Sequence, residues 1–179
     1  MHAADILHFW FEELDNKQRF VKDAALDAMM RVRFGDVLRA ASRGELFTWR
    51  GTPQGRLAEI VVVDQFSRNI HRDTAAAFAQ DAQALTLAQE LVASGQDYVL
   101  EPLQRSFAYM PYMHSESVLI HAQAVALFSQ PGMENSLEFE LRHKAIIDRF
   151  GRFPHRNAVL ARATTAEEQA FLAQPGSSF

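Results

Sequence analysis

Apolar residues recur at helical spacing along nearly the whole chain. From Ala4 to Leu14, the residues Ile6, Leu7, Trp10, Phe11 and Leu14 fall three and four apart or next to one another, which places them on one face of an α-helix. Val21 to Ser42 repeats the pattern through Ala25, Met29, Val32 and Leu38 and stops before Gly44. Thr52-Pro53 predicts a helix start, a hydroxyl cap followed by a Pro whose missing N–H does no harm. That helix should run through Leu57 and Ile60 to about Phe66. Phe78, Ala82, Leu85 and Val92 form the next stripe, closed by Ser94-Gly95. A short helix over Pro102 to Met110 should stop at Pro111, and Ser115 is placed to cap a helix through Val118, Ala122 and Val125 that Pro131-Gly132 ends. Asn135 with Glu138 predicts a capping box for a helix to Phe150, with Gly151 left-handed after it. Pro154 should start a short helix, and Thr165 with Glu168 should cap the last one. The reading is all-α, roughly eight helices with short connections in one domain over 1–174, and a loose tail from Pro175 to Phe179.

One stretch resists this pattern. Ile60-Val61-Val62-Val63 is β-branched throughout and fits a buried strand that ends at Asp64. No second strand is available to pair its backbone groups. A fully buried helix is therefore the expectation, at a modest propensity cost.

Composition narrows the class. The chain has 179 residues, 48% hydrophobic and 22% charged, enough for one substantial core. It has no Cys, which removes disulfides and thiolate metal sites. The first residues lack a basic segment, and the apolar positions after them are cut by His8, Glu12 and Glu13, so no signal peptide is read. No apolar run approaches the roughly 20 residues that span a bilayer. A cytoplasmic location is expected, with no membrane partner. A net charge of −4 argues against nucleic acid as a partner. Charge is unevenly spread, however: Arg142 to Arg162 carries +5 and the remainder −9. The basic stretch fits either an anionic ligand or the protein's own acidic surface.

Three segments concentrate the candidate chemistry. In Asp64 to Arg72, Asp64 and Arg68 stand at i,i+4 after the most hydrophobic run. A buried ion pair is the first reading and a ligand-facing Arg68 the second. Arg105 to Glu116 alternates Tyr109, Met and Pro with Arg105, His114 and Glu116, the makeup of a pocket wall or of a helix corner. His114 and Glu116 are candidates for acid–base work, and their spacing matches no metal signature. Arg149 to Asn157 sets Arg149, Arg152, His155, Arg156 and Asn157 on a turn stiffened by Gly and Pro, ahead of a helix N-terminus that favours anions. Its alternative is internal pairing with Asp64, Asp81 or Glu116. His143 lies on an apolar helix face, as a core histidine or a third acid–base candidate. No nucleophile elbow or nucleotide-binding glycine pattern is present, and no metal or cofactor is called for.

Taken together, these segments resemble a bacterial family, domain of unknown function 924. The matching stretches are Ile6 to Phe11, Asp64 to Ile70, Phe78 with Asp81, Arg105 to Glu116 and Arg149 to Asn157, in order along nearly the whole chain. The family's pattern often has Pro where this chain has Ser67. The resemblance implies a tetratricopeptide-like all-α fold, antiparallel helix pairs wound into an α-α superhelix, and so a helical Ile60 to Val63. It implies no activity and no catalytic residues.

Three functions follow. A helical superhelix presents a groove, and a basic, aromatic one suits an acidic peptide or anionic ligand. An enzyme would anchor a phosphorylated or carboxylated metabolite on Arg68, Arg105, Arg149, Arg152 and Arg156 and move protons with His114, His143 or His155. In the third reading the motifs are a buried polar network that fixes the fold.

Overall fold

At Thr52 the hydroxyl accepts from the N–H of Gly55 at 3.1 Å, and helix α4 (Pro53–Val61) begins at Pro53. A Cβ on Gly55 would sit 1.9 Å from the Trp49 carbonyl oxygen. The 3-10 turn Phe47–Gly51 therefore lies against α4 only because residue 55 has no side chain. The computed structural model describes residues 1–177. Ile60 to Val63 are helical and completely buried. α4 continues through a π-helical turn (Val62–Phe66) into α5 (Ser67–Ile70), and no strand occurs among the described residues. Burial outweighs the small helical penalty of β-branched side chains here.

Before α4 come α1 (Ala3–His8), a second π-turn (Phe9–Glu13), α2 (Asn16–Phe20) and α3 (Ala24–Ser42). After α5 come the 3-10 turn Ala75–Phe78, α6 (Asp81–Ala93), the 3-10 turn Gln96–Val99, α7 (Pro102–Met113), α8 (Val118–Phe128), α9 (Glu134–Phe150), the 3-10 turn Pro154–Arg156 and α10 (Ala166–Leu172). α1 packs on α4, α4 meets α6 and α7, and α7, α8 and α9 pack in succession. The two π-turns bring Trp10 and Phe66 to 5.6 Å within an aromatic core that includes Phe9, Phe34 and Phe107. A smaller cluster of Ile146, Ile147 and Phe153 lies under the C-terminal part.

Local sequence signals succeed and fail for identifiable reasons. Gly151 closes α9 at φ 68°, its N–H donating to Ile147, and Thr165 with Glu168 forms the capping box of α10. α2 was not expected, although Asp15 and Gln18 box its start. Pro111 does not stop α7. It lies in the last turn, where only one backbone hydrogen bond is lost. Ser117 rather than Ser115 precedes α8, without a capping bond. Met133 precedes α9, and Glu134 accepts from the Gly132 N–H in place of the expected box at Asn135. Phe78 lies in the turn before α6, not on its apolar face. At the C-terminus the Ser177 hydroxyl donates to the Leu172 carbonyl, and residues 178–179 of the expected tail lie outside the described residues. No helix among the described residues is long and apolar enough to cross a membrane.

Candidate functional site

The π-turn that follows the buried run carries Asp64 into the interior, where its side chain is 1% exposed. Its carboxylate accepts from Gln65 at 2.6 Å and meets Arg68 Nη1 at 2.9 Å and His114 Nδ1 at 2.8 Å. Burial acts to raise the Asp64 pKa. The Arg68 charge, with the hydrogen bonds from His114 and Gln65, outweighs it and holds the carboxyl well below the usual carboxylate range. His114 sits just past α7. Burial, reinforced by the positive charge of Arg68, pushes its pKa below the ordinary value despite Asp64. His114 is therefore neutral near pH 7. Because a carboxylate only accepts, Nδ1 carries the proton and Nε2 is left as the basic nitrogen.

A second carboxylate, Asp81 at the start of α6, bridges two guanidinium groups. Its Oδ1 lies 2.9 Å from Arg68 Nη1, and its Oδ2 accepts from Arg68 Nη2 and Arg156 Nη1, both at 3.1 Å. Arg156 Nη2 donates to the His114 carbonyl at 3.1 Å. The Arg156 guanidinium lies 4.5 Å from the centres of both the Phe78 and Phe153 rings. Its Nε has no hydrogen-bond partner. Burial and Arg68 lower the Arg156 pKa to about 10, against the pull of Asp81, Glu116 and Asp64. This is a cation whose charge is only partly matched. The arrangement has two levels. Asp64 and Arg156 lie beneath, at 1% and 7% side-chain exposure, while His114, Arg68 and Asp81 keep 16%, 18% and 21%.

The surrounding groups hold this centre in place. Glu116 accepts from the Phe153 N–H at 2.7 Å and from Arg162 Nη1 at 2.6 Å, and Arg162 also bonds the Asn157 side chain and the Phe153 carbonyl. Glu116 therefore pins the Phe153 turn. His143 donates from Nδ1 to the Phe139 carbonyl, its ring centre 6.4 Å from that of His114, and burial pushes its pKa down to about 3. The His155 ring lies tilted against Phe153, 5.5 Å between centres, and burial with Arg156 lowers its pKa to about 4. On α8, His121 joins Glu140 at 2.7 Å and the Ser115 carbonyl at 2.8 Å, with its ring 6.2 Å from that of Phe153.

Of the sequence candidates, Arg68, His114 and Arg156 are brought together, Arg68 and His114 on Asp64, Arg68 and Arg156 on Asp81, with Glu116, His143, His155 and Asn157 around them. Others are placed elsewhere. Arg105 lies over the Tyr98 ring. Tyr109 is buried, donating to Asp97 and accepting from Gln130, so it walls no open pocket. Arg149 pairs with Glu167 and stacks on Phe150, and Arg152 forks onto Glu168 at 2.6 and 2.9 Å. The segment Arg149 to Asn157 thus divides: its first two Arg tie α9 to α10, and only Arg156 reaches the centre. Arg149 also lines, with Arg142, Ile146, Phe150 and Phe171, a groove of about 500 Å³ beside α9 and α10. Sequence reasoning placed Asp81 among possible partners of the basic segment and, with Phe78, among the stretches that carry the family resemblance, and missed the Asp64–His114 bond. Among the described residues, no group of three or more His, Asp or Glu has the arrangement of a metal site.

Fold and site together define an all-helical protein with a half-buried His–Asp–Arg centre. The chain belongs to the family described as "Bacterial protein of unknown function (DUF924)", whose model matches residues 6–176. It is also similar to a solved structure from Agrobacterium tumefaciens, described as protein of unknown function ATU0120. The two share 39% sequence identity over 96% of each chain, with a TM-score of 0.90. Among curated proteins, none matches.

Proposed function

We propose that the protein binds a small anionic metabolite over Arg68 and Arg156 and that His114 exchanges a proton with it. One observation carries this reading: Asp64 fixes His114 at 2.8 Å in the tautomer that leaves Nε2 basic, beside two guanidinium groups. A carboxylate that orients an imidazole is how a general base is prepared. The upper level, at 16–21% side-chain exposure, gives a ligand a narrow access, and the buried level keeps it preorganised. A thermal-shift screen of carboxylated and phosphorylated metabolites tests the reading. The hit should raise the melting temperature of the wild type and lose most of that effect in His114→Gln and Arg68→Met. A hit that stabilises all three equally refutes it.

A second reading rests on the groove beside α9 and α10, lined by Arg142 and Arg149, each paired with an exposed acid that a ligand could replace, and by Phe150 and Phe171. It suits an acidic peptide. Binding of such peptides, followed by fluorescence polarisation, should fall in Arg149→Glu and stay unchanged in His114→Gln. The succession of α7, α8 and α9 supports the tetratricopeptide-like winding that either reading uses. We place the protein in the cytoplasm, without nucleic-acid or membrane partners.

A further inference from the structure

We propose that the group this site takes is a carboxylate, and that Asp81 holds its place in the unliganded protein. The proposal rests on the anion-binding reading above and names its ligand class. Asp81 accepts from Arg68 Nη2 and Arg156 Nη1, both at 3.1 Å, through Oδ2, and its Oδ1 lies 2.9 Å from Arg68 Nη1 without making a hydrogen bond. A free carboxylate has the same shape and can make the same contacts. A tetrahedral anion fits less well. The Arg156 plane is flanked by the Phe78 and Phe153 rings at 4.5 Å, so an oxygen out of that plane meets the negative face of an aromatic ring.

Of the two carboxylates in the centre, Asp81 is the one a ligand can displace. Asp64 is 1% exposed and meets three side chains, whereas Asp81 is 21% exposed and opens α6. Swung toward water, Asp81 would still lie in the first turn of a helix, where an acid is favoured. The gain on exchange is at the acceptor. Asp81 Oδ1 is buried without a hydrogen-bond partner, and a carboxylate not tethered to α6 is free to turn both oxygens onto the Arg68 and Arg156 N–H groups. The adjoining turn also has room to move. A cleft of about 100 Å³ lies behind it, lined by Ala76, Ala79 and Gln80 on one side and Leu38, Ser67 and His71 on the other. The Ser67 hydroxyl in that cleft is buried with no hydrogen-bond partner, and Asp73 nearby takes φ 60°.

The test is a titration at pH 7 with sodium acetate, sodium phosphate and sodium chloride at matched ionic strength, read on the Arg156 Nε–H resonance. Wild type, Asp81→Ala and Asp81→Ser are compared. Removing a tethered competitor should make acetate bind the variants about tenfold or more tightly than the wild type, with saturation. Phosphate should bind more weakly than acetate, and chloride should give no saturable shift. If a variant is unfolded alone, the same expectation is acetate-dependent refolding followed by circular dichroism, and its absence overturns the proposal. Equal acetate affinity in wild type and variants overturns the place-holding role of Asp81. Phosphate binding more tightly than acetate overturns the carboxylate assignment and leaves the anion site standing. No saturable shift with either anion in any protein removes both this proposal and the anion reading beneath it.

Discussion

Two Arg-rich regions of this protein look alike in composition and differ in how charge is matched. Where α9 meets α10, each cation has its own acid: Arg149 with Glu167, and Arg152 in a two-pronged pair with Glu168. Around Asp64, acids are shared. Asp64 serves Arg68 and His114, Asp81 serves Arg68 and Arg156, and Arg156 is left with an unbonded Nε. One-to-one pairing joins two helices and leaves nothing over. Sharing leaves a neutral, oriented histidine and an under-matched guanidinium, which are groups a ligand can use.

The largest effect is expected at the buried acid. Asp64→Ala removes the carboxylate under Arg68 and His114 and strands both, and should lower unfolding free energy by about 3–5 kcal/mol in urea titration. Arg152→Ala should cost less, because Glu168 keeps the Thr165 N–H as a donor. A larger loss for Arg152→Ala than for Asp64→Ala would reverse the contrast.

Acid sharpens it next. His143 and His155 have folded pKa values lowered to about 3 and about 4, and His114 is lowered too. The unfolded chain takes up these protons as pH falls through roughly 6.5, while the folded chain refuses them. Stability should therefore fall from about pH 6.5 toward pH 4, by up to about 1.4 kcal/mol per pH unit for each histidine. Asp64 acts lower: its depressed pKa stabilises the fold above the ordinary carboxylate range, and that stability is lost as pH falls below about 4. Denaturant melts across this range check both. In His143→Phe the slope between pH 6.5 and 4 should flatten, and an unchanged slope would contradict the assignment.

The smallest effect belongs to the exposed pair. Arg149→Ala should change stability by less than about 1 kcal/mol, since surface ion pairs contribute little. A larger loss in urea titration would mean that the α9–α10 contact depends on more than the pair.

Much of the helical frame was legible because its signals are local. Thr52-Pro53, Gly151 and the Thr165–Glu168 box each act within a few residues. The Asp64–Arg68 pair could be read for the same reason, as an i,i+4 spacing on one helix. The site could not be read this way. Asp64 and His114 are 50 residues apart in sequence, and Asp81 and Arg156 are 75 apart. Asp64, Asp81 and His114 meet because α7 and α6 both pack on α4, the helix that runs into the Asp64 turn, and Arg156 joins them through Asp81 and the His114 carbonyl. The density of Arg in Arg149 to Asn157 suggested one anion site. The structure divides it, because α10 brings Glu167 and Glu168 to the first two Arg and leaves Arg156 to the interior.

Proton exchange at this site depends on the protonation state of His114. Long-range proton–nitrogen correlation of the histidine side chains at pH 7 reads it directly. The expected result is a neutral His114 with its proton on Nδ1, an unprotonated Nε2, and titration below the usual histidine range near 6.5. A doubly protonated ring at pH 7, or a proton on Nε2 with Nδ1 bare, would contradict it.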